Sequence, residues 1–134
     1  MTYTIGHIGT DDYATTIIAG KHTLVADETA DNGGKDLGMA PFDLLTSALV
    51  ACTAITLRMY AARKSWPLRG LDVTVRLDES AGHQTIHRSV ILHGDLTSAQ
   101  VERLADIVER TPVTKTLKAG LHINTALEIE RLSD

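Results

Sequence analysis

Cysteine is nearly absent from this chain: Cys52 is the only one in 134 residues. A single cysteine excludes an intrachain disulfide and argues against a thiolate zinc site. Aromatics are scarce as well, with one Phe, one Trp and three Tyr, so a core has to be built from Leu, Ile, Val and Ala. There is no excess of basic charge. The formal net charge is −4, which argues against a nucleic-acid or anionic-membrane surface. No secretory n-region and h-region precede the first polar residues, and with the lone thiol this points to a reducing cytoplasm. Repeats, low-complexity tracts and linkers are missing, so residues 1–134 are expected to form one domain. The glycine-rich phosphate loop, G-x-S-x-G, H-E-x-x-H and G-x-G-x-x-G patterns are missing too. Neither a metal nor a cofactor is expected.

What is present reads as an α+β chain in the order β-β-α-β-β-α-β. Residues 3–8 and 13–26 are rich in β-branched side chains and are separated by the turn former Gly9–Asp12. Asp27 to Pro41 is a glycine-, Asn- and Asp-rich loop, long enough to suggest a functional role. Its acidic residues Asp27, Glu28 and Asp31, like those at the C-terminus, are expected to be solvated. Pro41 suits the first position of a helix, and Asp43 then lies in the first turn, where the helix dipole favours a carboxylate. That helix should run to about Arg63 or Lys64 and stop before Pro67 and Gly70. Leu71–Asp78 and His87–Leu96 read as a hairpin turning near Ala81–Gly82. Thr97 or Ser98 caps a helix with an apolar face of Val101, Leu104, Ala105 and Val108, ended by Pro112. Thr114–Gly120 is a short helical turn, and His122–Glu130 alternates as a last strand.

The helix from Leu44 to Arg63 is apolar almost all round, broken by Thr46, Ser47, Thr53, Thr56 and Arg58. Those interruptions argue against a transmembrane span. One small sheet covers only one side of such a helix, so a second copy is expected to cover the other in an intimate homodimer. Cys52 lies at its centre, on a face with Leu45, Ala48, Leu49, Ile55, Thr56 and Met59. Surroundings of that kind disfavour a thiolate, and a buried cysteine is commonly just a small hydrophobe. Arg58 is about 120° round the helix from Cys52, so the helix supplies the sulfur with no cation of its own.

The stretch from Gly20 to Leu68, with its H-x-L-x-A-D-E segment (His22–Glu28) and its P-F-D-L-L helix start (Pro41–Leu45), resembles the OsmC/Ohr family of osmotically inducible and organic hydroperoxide resistance proteins. The resemblance continues through "RGLDVTV", "ILHGDLTSAQVERLADIVERTPVTKTL" and the last strand. It implies an α+β OsmC-like fold in which a long central apolar helix packs against antiparallel sheets in an intertwined homodimer.

The resemblance also implies chemistry. Cys52 falls on a nucleophilic cysteine that attacks an organic hydroperoxide and becomes a sulfenic acid. The family's resolving cysteine, in a C-P-V motif, is Thr111 here, ahead of Pro112 and Val113, so a two-cysteine cycle does not carry over. The glutamate at the helix start falls on Phe42, leaving Asp43 as the nearest carboxylate, and no arginine precedes Arg58. Lys21 and His22 are then the candidates for stabilising the thiolate. The resulting expectation is a cytoplasmic one-cysteine thiol peroxidase, or redox-responsive protein of oxidative-stress defence, served by an external thiol reductant. The alternative is a catalytically degenerate OsmC-like dimer that binds a small apolar ligand.

Overall fold

The computed structural model describes residues 2–131. Eight regular elements follow in the order β1 (Thr4–Ile8), β2 (Thr15–Ala19), β3 (His22–Ala26), α1 (Pro41–Arg63), β4 (Leu68–Asp78), β5 (Thr85–Gly94), α2 (Ser98–Val108) and α3 (Pro112–Ala119). The class is α+β with antiparallel sheets, as expected. Three details differ from the sequence reading. Residues 13–26 form two strands, because the chain turns at Gly20, whose φ of 61° is open to glycine. Pro112 begins α3 instead of ending α2; its fixed φ suits the first helical position, and α2 has already stopped at Val108. The strand expected over His122–Glu130 pairs with nothing among the described residues. Leu121, Ile123, Leu127 and Ile129 lie 74–95% exposed along it.

α1 follows its sequence signals closely. Pro41 occupies its first turn, and the Ala40 backbone N–H donates to Asp43 Oδ2 at 3.3 Å. At its far end the Arg58 guanidinium donates to the carbonyls of Leu68 and, at 3.0 Å, Arg69, tying the helix to the start of β4. Leu49, Thr53, Leu57 and Ala61 recur every fourth residue and form one buried stripe. That stripe faces β4, with α2 and α3 packed alongside. Leu57 and Leu104 are almost completely enclosed, and each such side chain contributes about 1.5–3 kcal/mol by leaving water. α2 turns only Leu104 fully inward; Val108 is half-buried, whereas Val101 and Ala105 face outward, contrary to the apolar face expected of all four.

β4 and β5 form a two-stranded antiparallel ribbon, and β1–β2–β3 form a separate three-stranded meander. The meander packs chiefly on itself, and every residue of β1 is exposed. The opposite side of α1 is likewise uncovered: Ile55 and Met59 are each more than half exposed, as is Phe42 in the first turn. By length and composition alone α1 is apolar enough to cross a membrane.

The loop from Asp27 to Ala40 is ordered by its own backbone and by one carboxylate. Asp27, expected in solvent with Glu28 and Asp31, is only 3% exposed. Its oxygens accept the backbone N–H groups of Glu28 (2.7 Å), Leu37 (3.2 Å) and Lys35 (3.3 Å). Burial pushes the Asp27 carboxyl upward, but these N–H groups together with the Lys35 charge outweigh it and hold it below its ordinary value. Glu28 and Asp31 stay half-buried and exposed respectively, whereas Asp134 lies outside the described residues. Gly34 and Gly38 permit the close approach, since a Cβ at either would stand 2.0 Å and 1.8 Å from the carbonyl oxygens of Glu28 and Val25.

Candidate functional site

Cys52 is half-buried on α1, one position before the buried stripe residue Thr53. Its Sγ accepts the Val113 backbone N–H at 3.4 Å, and the Thr56 hydroxyl stands 3.9 Å away. The Val113 contact follows from how α3 begins. The first N–H groups of a helix have no partner within it. Pro112 carries none, so Val113 is the first donor α3 can offer, and it points at the sulfur. A helix N-terminus and an N–H donor both favour negative charge at the atom they face. The sequence reading placed Thr56 among otherwise apolar neighbours and looked to Lys21 and His22 for a cation; the Val113 N–H arrives instead from a segment 61 residues away.

Against Thr53, the next residue along α1, lies a second polar group that the sequence reading missed. Arg88, on β5, donates from Nη1 to Thr53 Oγ1 (3.0 Å) and Thr114 Oγ1 (2.8 Å), and from Nη2 to the Val108 carbonyl (3.0 Å). Thr114 and Thr111 exchange a further hydrogen bond at 2.6 Å, and both are buried. One guanidinium thus ties α1, the end of α2 and the start of α3 to β5. A signal was available: Ile86, Arg88, Val90 and Leu92 occupy the inward face of β5, so a charge interrupts an otherwise apolar alternation. None of these described side chains leaves a buried polar atom unpaired.

The other expected site residues do not gather here within one chain. Asp43 is exposed and holds the first turn of α1, nine residues before Cys52. Lys21 and His22 are exposed at the β2–β3 turn, on the meander that no helix covers. Thr111, at the resolving position, is wholly enclosed and caps the approach to α3. Among the described residues no group of three or more His, Cys, Asp or Glu could hold a metal ion. His83 and His87 are four apart but straddle the start of β5, where that spacing does not converge as it does on a helix.

Between α1, β5, α2 and α3 lies a cavity of about 500 Å³, with Leu49, Ile86, Val90, Val108 and Leu117 as its apolar wall and Arg88 at its side.

The family model described as OsmC-like protein matches residues 33–126, most of the chain and all of this site. No curated protein matches. Solved structures share the fold. An OsmC-like protein from Mycoplasma pneumoniae is 20% identical over 88% of this chain and 87% of that one, with a TM-score of 0.74. The organic hydroperoxide resistance protein OhrB of Bacillus subtilis is 20% identical over 88% and 90%, with a TM-score of 0.58. An organic hydroperoxide resistance protein OsmC from Legionella pneumophila is 18% identical over 88% and 89%, with a TM-score of 0.60. With the family model covering residues 33–126 and the long helix, hairpin and α3 all in place, this chain belongs to the OsmC-like protein family.

Proposed function

We propose that the protein reduces organic hydroperoxides through Cys52 alone, as a cytoplasmic one-cysteine thiol peroxidase or peroxide-responsive protein. The observation that carries the reading is the Val113 N–H directed at Cys52 Sγ from the N-terminus of α3. In the reaction the thiolate attacks the terminal oxygen of ROOH. The O–O bond breaks, an S–O bond forms, and the alkoxide takes a proton to leave as ROH, giving the sulfenic acid. Thr111 offers no second sulfur. An external thiol therefore condenses with the sulfenic acid, releasing water and forming a mixed disulfide. A second external thiol then frees Cys52 and leaves as the oxidised disulfide.

A second copy of the chain completes this picture. The outer side of α1, much of the meander and the segment after Gly120 carry apolar side chains exposed in one chain, among them Ile5, Ile18, Leu24, Ile55, Met59 and Leu127. A homodimer supplies that cover from the same surfaces, and it brings Lys21 or His22 of the second copy into reach of Cys52 as an added cation. Sedimentation should therefore give a dimer at micromolar concentration. The activity test is mass spectrometry of the reduced protein after exposure to an organic hydroperoxide and a sulfenic-acid trap. A trapped adduct at Cys52 is expected; an unmodified Cys52, under conditions that oxidise an ordinary exposed thiol, would sink the reading.

The cavity beside Arg88 favours a second reading, a dimer that binds a small apolar ligand without chemistry at Cys52. There Cys52→Ser keeps the ligand-induced rise in thermal stability that a screen of apolar compounds detects.

A further inference from the structure

We infer that Arg88 is the positioning residue for the Cys52 thiol: by holding the first turn of α3 against α1, it keeps the Val113 N–H on the sulfur. The inference rests on Cys52 being the reactive group. The Val113–sulfur contact requires two things, that α3 begin at Pro112 and that its first turn stay pressed to α1 at the level of Cys52. Apolar packing supplies part of the second, since Leu49 of the stripe lines the cavity together with Leu117 of α3. Arg88 supplies the polar part. One Nη1 donates both to Thr53, the neighbour of Cys52, and to Thr114, the neighbour of Val113. Cys52 and Val113 are thereby fastened to each other through the residues that follow them. The Nη2 bond to the Val108 carbonyl fixes where the connection from α2 to α3 sets out.

The guanidinium suits this task because it is planar and its donors diverge at fixed angles. A lysine at the same place keeps the charge but cannot hold three acceptors in that arrangement. The charged groups around Arg88 leave the task unchanged across the working pH range. Glu109, at the end of α2, is bonded at 2.9 Å to Lys118, which holds its carboxyl below the ordinary value, with a smaller contribution from Arg88 itself. On the remaining elements, α3 adds Lys115 and Lys118, both exposed, and β5 places His87 and Ser89 on its opposite face.

The test uses iodoacetamide alkylation of Cys52, which needs no peroxide and so stands apart from the proposed activity. The readout is the ratio of the rate at pH 7 to that at pH 10, which lies above the ordinary thiol pKa of about 8.5. A change in access to the sulfur moves both rates together and leaves the ratio alone. In Arg88→Lys and Arg88→Met the ratio should fall about three- to tenfold, the loss expected when a helix terminus no longer faces the charge. Should these variants fail to fold in a thermal melt, Thr114→Val decides, since it removes the link from Arg88 to α3, together with the Thr111–Thr114 hydroxyl bond, and leaves the Arg88 bonds to Thr53 and Val108 in place; the same fall is expected there, with Thr114→Ser restoring the ratio. An unchanged ratio in folded Thr114→Val overturns the inference, as does a rise in both rates without a change in ratio. If the ratio falls as expected but the unaltered protein yields no sulfenic adduct, the peroxidase reading fails and the positioning role stands.

Discussion

The two ends of the chain solve the problem of a small core differently. From α1 to α3 the molecule is closed on itself: a stripe of α1 meets β4, Arg88 locks the helices to β5, and Leu57 and Leu104 are shut away from water. The meander β1–β3 has hydrogen bonds in full register and almost no packing. A sheet with two wet faces does not hold its shape from ladder bonds alone, since each exchanged hydrogen bond is worth little net stability. The closed part can be understood as one chain, whereas the open part is the surface on which the proposed second copy would lie.

The sharpest way to test that contrast is a pair of truncations. Leu57→Ala should cost about 2–5 kcal/mol in urea unfolding, as for any large side chain removed from a tight core. Ile5→Ala, 53% exposed, should cost no more than about 0.5 kcal/mol if the meander is as open in solution as in one chain. A second copy lying on it would make the loss far larger and dependent on protein concentration.

Next in size is Gly38→Ala. Its Cβ would stand 1.8 Å from the Val25 carbonyl oxygen, so the Asp27 loop must move off β3; a loss of about 1–3 kcal/mol in the melt is expected. Acid tests the same loop. The Asp27 carboxyl is lower in the folded protein than its ordinary 3.8. Its contribution is therefore complete above that value and is lost as pH falls through the lowered one. Asp27→Asn should flatten this acid limb of the stability curve while leaving the Cys52 alkylation ratio unchanged. A small effect on stability should also come from Cys52→Ser, which abolishes the sulfenic adduct yet shifts stability by less than about 1 kcal/mol, because the sulfur is only half-buried.

The closed part was also the legible part. Pro41, Asp43 and the long, mostly apolar run gave α1 to within a residue, and the alternation over Leu71–Asp78 gave β4 most of its length. The turn at Gly20–Lys21 was obscured because both flanking strands are β-branched and carry no polar punctuation except that dipeptide. His122–Glu130 has the alternation of a strand, but alternation records which faces need cover and says nothing of which chain provides it. At the site, Cys52 could be singled out from the sequence, whereas its partners could not: the Val113 contribution comes from backbone, which has no residue signature. Asp27 shows the reverse error, a carboxylate read as solvated that three backbone N–H groups draw inward.

The direction of the hydrogens around Arg88 has one more consequence. A guanidinium only donates, so Thr53 and Thr114 both accept from it. Thr53 sends its own hydrogen to the Leu49 carbonyl at 2.7 Å, and Thr114 and Thr111 share a bond at 2.6 Å in which either hydroxyl can donate. The hydrogens given by Arg88 and Thr53 therefore run away from the guanidinium, and none of these bonds ends on the sulfur. The network fixes positions and does not itself touch Cys52. In the proposed reaction, the alkoxide leaving Cys52 would therefore have to take its proton from a donor outside this network.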